Sequence, residues 1–191
     1  MIDNIINIPK ALQSLRPKAE WRLSGDVLKW DDKIQAFKFA VSSHLESSDF
    51  HITANQSSSS LLTSSQQGKY HWGNEVLKTV KKITVNCTSL DEFCLKNNID
   101  IIHLLKLDIQ GSELEALKGA TNLFKKRKIG IIYIEISILN SYNKQGSIHE
   151  IISFLNKHEF ELFNIYKAIR KKGRLLEIDV MFIRSDMIQY H

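Results

Sequence analysis

Between Ile101 and Ala120 the chain changes from a near-continuous apolar run to a helical stripe, and no other stretch limits the fold as tightly. Ile101 to Ile109 is apolar except for His103, Lys106 and Asp108. A run so short and so apolar fits a strand buried on both faces, the habit of parallel sheets. Side chains alternate along a strand, so Lys106 and Asp108 leave from one face, about 6.6 Å apart along the chain. Gly111 breaks the strand, and Ser112 with Glu115 fits the Ser-x-x-Glu capping box that opens a helix. Leu114, Leu117, Thr121 and Phe124 then recur at helical spacing with charges opposite. Glu113 and Glu115 in the first turn and Lys125 to Lys128 in the last complement the helix dipole. The predicted unit is strand, tight turn, helix, with Asp108, Gln110 and Glu113 gathered where the strand ends. In open α/β sheets, ligands bind at that edge. Two readings fit the pattern: a binding site, or a partly buried Lys106–Asp108 ion pair with Glu113 serving only the helix terminus.

Composition narrows the alternatives. With 191 residues the chain is long enough for one domain with a real core. Hydrophobic and charged shares of 43% and 25% are those of an ordinary globular protein. The net charge of +5 comes from clusters at 125–128 and 170–174, which read as solvated ends of elements and not as a nucleic-acid footprint. Cys87 and Cys94 match no zinc or redox spacing, and the seven histidines show no metal-ligand pattern. No signal peptide and no apolar segment near 18 residues is visible, so no membrane span is expected and the cytoplasm is the default location.

The remaining elements follow from the same rules. Residues 1–8 read as a short strand, and Pro9 opens a helix through about Lys18. Trp21 to Asp32 includes a turn near Ser24-Gly25-Asp26, with Trp21 and Trp30 as packing residues. Ile34 to Val41 is a predicted strand that runs into Ser42-Ser43, and Phe50 to Ala54 is another. Residues 56–69, rich in serine and glutamine, read as a flexible loop. Val80 to Val85 has strand character, and Thr88 or Ser89 caps a helix that ends at Asn97-Asn98. Ile129 to Ile136 is a strand whose only charge, Glu135, fits either the sheet edge beside Asp108 or a structural partnership. Ser147 opens an amphipathic helix with His149 and His158 facing solvent. Phe160 to Ile169 and Arg174 to Arg184 form an antiparallel hairpin around Lys171-Lys172-Gly173.

The run Lys106-x-Asp108-x-Gln110-Gly111-x-Glu113-x-x-x-Leu117-x-Gly119-Ala120 resembles the signature of the FkbM-type methyltransferases. That family commonly has glutamate where this chain has Gln110. Ile134-Glu135-Ile136, Gln145-Gly146 and Asp179-Val180-Met181-Phe182 match in the same order, so the resemblance covers about Lys33 to Arg184. It implies an α/β fold with a Rossmann-like class I methyltransferase sheet, mostly parallel and ending in an antiparallel hairpin. It also implies S-adenosylmethionine as cofactor and O-methylation of a hydroxyl on a sugar, glycan or small metabolite. Lys106, Asp108 and Glu135 become the catalytic candidates. Ala40, Ser42, Ser43, Asp108, Gln110 and Gly111 become the cofactor-binding ones, and Ser60 and Glu113 the substrate-binding ones. Asp108 or Glu135 would act as general base toward the hydroxyl or hold a cation that lowers its pKa. Lys106 would keep Asp108 ionised, while Gln110, which cannot be a base, would act through hydrogen bonds.

One expected feature is missing. A Rossmann-like cofactor site needs a glycine-rich turn after the first strand, because the backbone approaches the cofactor closely there. The eight glycines are isolated and no Gly-x-Gly occurs. The sequence therefore predicts an amino-terminally incomplete sheet: residues 1–32 as a remnant of the cofactor-binding part, 33–184 as the methyltransferase-like domain, and 185–191 as a tail. The rival reading is a truncated or degenerate, non-catalytic methyltransferase-like domain. A third, RNA binding, rests on charge alone.

Overall fold

The computed structural model describes residues 5–8, 22–24, 27–31 and 34–188, with side chains described from Phe37 onward. The expected helix from Pro9 to about Lys18 lies outside the described residues. The fold is α/β, built on a five-stranded sheet. Its strands are β1 (Ile5–Ile8), β8 (Ile102–Leu107), β9 (Ile129–Ser137), β11 (Arg174–Arg184) and β10 (Phe160–Lys171), in that spatial order. The pairings β1–β8 and β8–β9 are parallel, whereas β9–β11 and β11–β10 are antiparallel. The sheet is thus mixed in equal parts, where a mostly parallel one was expected. Parallel neighbours need a crossover, and the chain between β8 and β9 supplies it. The final hairpin turns on Lys172 and Gly173, both at positive φ, and inserts β11 between β9 and β10.

Alternation along the strands gives the sheet two different faces. Leu105, Leu107, Ile132, Ile134, Ile136, Ile178, Val180 and Phe182 are all buried in the core with Leu114, Leu117, Leu123, Phe124, Ile151 and Leu155. Each such side chain contributes about 1.5–3 kcal/mol by leaving water. Register puts Lys106 beside Tyr133, and Glu135 opposite Asp179, on the other face. Polar groups therefore collect on one side of the strands whose opposite side makes the core.

The helix expected to run through Leu114 and Phe124 is two helices, α3 (Glu113–Lys118) and α4 (Thr121–Lys125). The cause is tertiary. A Cβ on Gly119 would lie 2.3 Å from the Ser42 carbonyl oxygen, so two backbones meet at this point. The Asp91 carboxylate, from α2 (Leu90–Lys96), accepts the Asn122 and Leu123 amides at 2.9 Å each and starts the second helix. Leu123 thereby takes the buried place expected for Thr121, whose hydroxyl donates to the Lys118 carbonyl. The Ser112–Glu115 capping box does not form: α3 has no side-chain cap, and Glu115 accepts from Ser43 and Lys118 instead. A capping box does open α5 (Ile148–Lys157), through Ser147 and Glu150.

Three further expectations change. The strand from Ile34 to Val41 breaks at Lys38–Phe39 into β4 (Ile34–Phe37) and β5 (Ala40–Val41). β4 completes an antiparallel sheet with β2 (Arg22–Ser24) and β3 (Val27–Asp31). β5 pairs in parallel with β7 (Thr79–Thr88), which also pairs with β6 (Ser47–Thr53). The polar stretch 56–69 is ordered. It holds a 3-10 turn at Gln56–Ser58, a bridge from Ser60 to His51, and the start of α1 (Gln66–Trp72), capped by Ser65. The hydroxyls of Ser59, Ser60 and Ser65 pair with backbone groups elsewhere, which lets these buried or nearly buried polar side chains pack. His158 stacks on Phe124 at 4.7 Å rather than facing solvent, and burial lowers its pKa; His149 is exposed.

Candidate functional site

The site begins where β8 ends. Beyond Leu107 the chain passes through Asp108 and Ile109 and reverses at Gln110 and Gly111, with φ of 56° and 95°. Left-handed backbone at a non-glycine residue is unfavourable, so something must hold Gln110 there. Part of the answer is Glu113, whose Oε1 accepts the amides of Ile109 (3.0 Å) and Gly111 (3.2 Å). The residue is only 4% exposed. Burial pushes its pKa up to about 7, against the pull of those amides, and the charge of Asp108 adds to the rise.

Gln110 is buried and bonded on every side. Its amino group donates to Glu135 Oε1 at 2.7 Å and approaches Asp108 Oδ1 at 3.4 Å. Its side-chain oxygen accepts from the Tyr142 hydroxyl at 2.8 Å. Its carbonyl accepts from the Ser60 hydroxyl at 2.7 Å, and Ser60 in turn accepts the Leu62 amide. Lys106 Nζ lies 3.4 Å from the second Asp108 oxygen, with both side chains partly exposed. Tyr142 also reaches the Ser58 carbonyl at 2.9 Å, and its backbone amide donates to Gln145. Gln145 then holds the carbonyls of Ser137 and Leu139, which ties the loop after β9 over the site. Burial raises the Tyr142 pKa, and the charges of Glu113, Glu135, Glu177 and Asp108 raise it further, so the phenol keeps its proton.

Seven of the sequence-predicted residues therefore meet at one place: Lys106, Asp108, Gln110, Gly111, Glu113, Glu135 and Ser60. Ala40, Ser42 and Ser43 lie elsewhere, along the flank of α3. The Ser42 amide donates to the Thr88 carbonyl, and the Ser43 hydroxyl donates to Glu115. Glu113 spends one oxygen on the turn, and Ser60 spends its hydroxyl on Gln110. Tyr142 was missed by sequence reasoning. Its contacts span 32 and 84 residues of chain, and a lone tyrosine in a loop carries no pattern. Among the described residues no group of three or more His, Cys, Asp or Glu has an arrangement that could hold a metal ion. What remains is two carboxylates bridged by one amide at the carboxyl end of a parallel strand, suited to accepting a proton and orienting a hydroxyl.

Comparison with known proteins bears on this geometry. The family profile described as the methyltransferase FkbM domain matches residues 16–162, more than half of the chain. The 2-O-methyltransferase NoeI of Sinorhizobium fredii (strain NBRC 101917 / NGR234) is 26% identical over 132 residues, covering 67% of this chain and 54% of that protein. The chain thus spans about half the length of that relative. No solved structure matches.

Proposed function

This chain belongs to the methyltransferase FkbM domain family, and from that premise we propose that it serves S-adenosylmethionine-dependent methylation of a hydroxyl on a sugar or small metabolite. The observation that carries the reading is the Asp108–Gln110–Glu135 group at the end of β8, where α/β sheets bind ligands. The relative from Sinorhizobium fredii is a 2-O-methyltransferase, in keeping with a hydroxyl acceptor. The sheet is read as Rossmann-like, with β8 and β9 as its central parallel pair and the β10–β11 hairpin at one edge.

The described residues do not by themselves make a seat for S-adenosylmethionine. Such a cofactor needs glycines that open the backbone to it. Here a Cβ on Gly68, Gly119 or Gly146 would run into protein at 2.3–2.5 Å, and Gly111 faces Tyr142, Gln145 and Leu62. We therefore assign this chain's residues no part in methyl donation. Their part is the proton: Glu135, or Asp108 paired to Lys106, accepts it from the acceptor hydroxyl. The family resemblance would set Ala40, Ser42 and Ser43 at the cofactor's adenine side, Gln110 and Gly111 beside it, and Glu113 and Ser60 at the acceptor side; in this structure Gln110, Gly111, Glu113 and Ser60 instead build the turn beside Asp108 and Glu135.

Transfer of labelled methyl groups to a panel of hydroxyl acceptors tests the reading. Asp108→Asn and Glu135→Gln should each lower turnover by roughly 100-fold or more while the far-ultraviolet spectrum stays native. Full activity in either variant removes that residue from the mechanism. The crowding at Gly68, Gly111, Gly119 and Gly146 also favours a second reading, a non-catalytic methyltransferase-like domain. Calorimetry with S-adenosylmethionine separates the two, because no heat at millimolar ligand supports the second.

A further inference from the structure

Tyr142 has one hydroxyl proton and two acceptors within reach, the Gln110 side-chain oxygen and the Ser58 carbonyl. Because the phenol stays protonated, it offers Gln110 a donor, and the carbonyl end of the amide turns toward it. The amino end is left facing Glu135 at 2.7 Å and Asp108 at 3.4 Å. The reverse sense would set an amide oxygen 2.7 Å from a carboxylate oxygen, two acceptors with no proton between them, inside a buried site. Gln110 is also pinned through its backbone, at φ 56° and by the Ser60 hydroxyl on its carbonyl, so the side chain starts from a fixed point between Tyr142 and Glu135.

The charges around Glu135 make that donor consequential. Asp108 shares the same amide, Asp179 lies opposite in register on β11, and the charges of Glu113 and Glu177 act with that of Glu135 on Tyr142. Lys106 is paired to Asp108. Carboxylates crowded together resist ionising unless a donor or cation offsets the repulsion.

We propose that Gln110 is a positioning residue: its amino group keeps Glu135 ionised and fixes its orientation, and Tyr142 fixes the sense of the amide. The consequence for turnover rests on the reading of Glu135 as proton acceptor, but the effect on Glu135 itself does not. In glutamate-selective carbon-13 labelled protein, Glu135→Gln identifies the Glu135 carboxyl resonance, which is then titrated in wild type, Gln110→Met, Gln110→Glu and Tyr142→Phe. The Glu135 midpoint should rise by about one pH unit in Gln110→Met, where a charge-assisted donor is lost. It should rise further in Gln110→Glu, which adds a third carboxylate while keeping an oxygen for Tyr142. Tyr142→Phe should give a smaller rise, and the acidic limb of kcat/KM should move with the midpoint. A shifted midpoint in protein without methyl transfer would sink the enzymatic reading and leave this inference standing. An unmoved midpoint in the folded Gln110→Met or Gln110→Glu protein would overturn it.

Discussion

Glu113 shows how one buried carboxyl can serve structure and still leave a mark on solution behaviour. Its oxygen closes the Gln110–Gly111 reversal through two amides, and an ordinary acid value near 4.5 is raised to about 7. A carboxyl whose folded pKa lies above its unfolded one binds more protons when folded. Its contribution is therefore fully present below about pH 4.5 and is lost as pH rises through about 7. The loss amounts to roughly 3 kcal/mol. Glu113→Gln keeps an oxygen for the amides and carries no charge. It should therefore gain on wild type in urea midpoint at pH 8, and the gap should close by pH 4. A gap of constant size would show that Glu113 titrates normally. The turn signal at Gly111 and the charges at 106, 108 and 113 were legible in the sequence. Tyr142 was not, because only packing brings a loop tyrosine to a glutamine at the end of a distant strand.

At the scale of elements, the break between α3 and α4 separates local preference from tertiary demand. The apolar stripe favoured one continuous helix, yet the Gly119 backbone lies against the Ser42 carbonyl, and Asp91 on α2 caps α4. Gly119→Ala brings a methyl group into backbone that cannot yield, at a cost of about 1–3 kcal/mol. Asp91→Ala removes two caps from α4 and costs about 0.5–2 kcal/mol. Urea denaturation checks both. The two sites also adjoin, since the Asp91 amide donates to the Gly119 carbonyl, so the double variant should depart from additivity. Equal costs for Gly119→Ala and for an exposed control such as Lys126→Ala would count against the close approach. The serine-rich stretch makes the same point: composition suggested a loose loop, and long-range hydroxyl bonds made it a wall of the site.

Across the whole molecule, one sheet does two jobs. Its helix-facing side holds the core, where Phe182 on β11 has no exposed surface. Phe182→Ala should cost about 3–5 kcal/mol and lower the thermal midpoint without changing the hydrogen bonds of Gln110. A loss below about 1 kcal/mol would count against full burial of Phe182 in the core. The opposite side carries Lys106, Tyr133, Glu135 and Asp179, and the site sits where that side meets the end of β8. The sequence by itself determined that strands run within Ile101–Ile109 and Ile129–Ile136, that a helix opens at Ser147, and that the chain ends in a hairpin, with Asp108 and Glu135 late in their strands. Those rest on periodicity, capping and turn chemistry, which act over a few residues. Only the tertiary structure decided the mixed sheet order, the split helix, the ordered serine tract and the Tyr142–Gln110–Glu135 chain. Those depend on which distant backbones touch, and hydrogen bonds and steric contact between remote segments leave no period in a sequence.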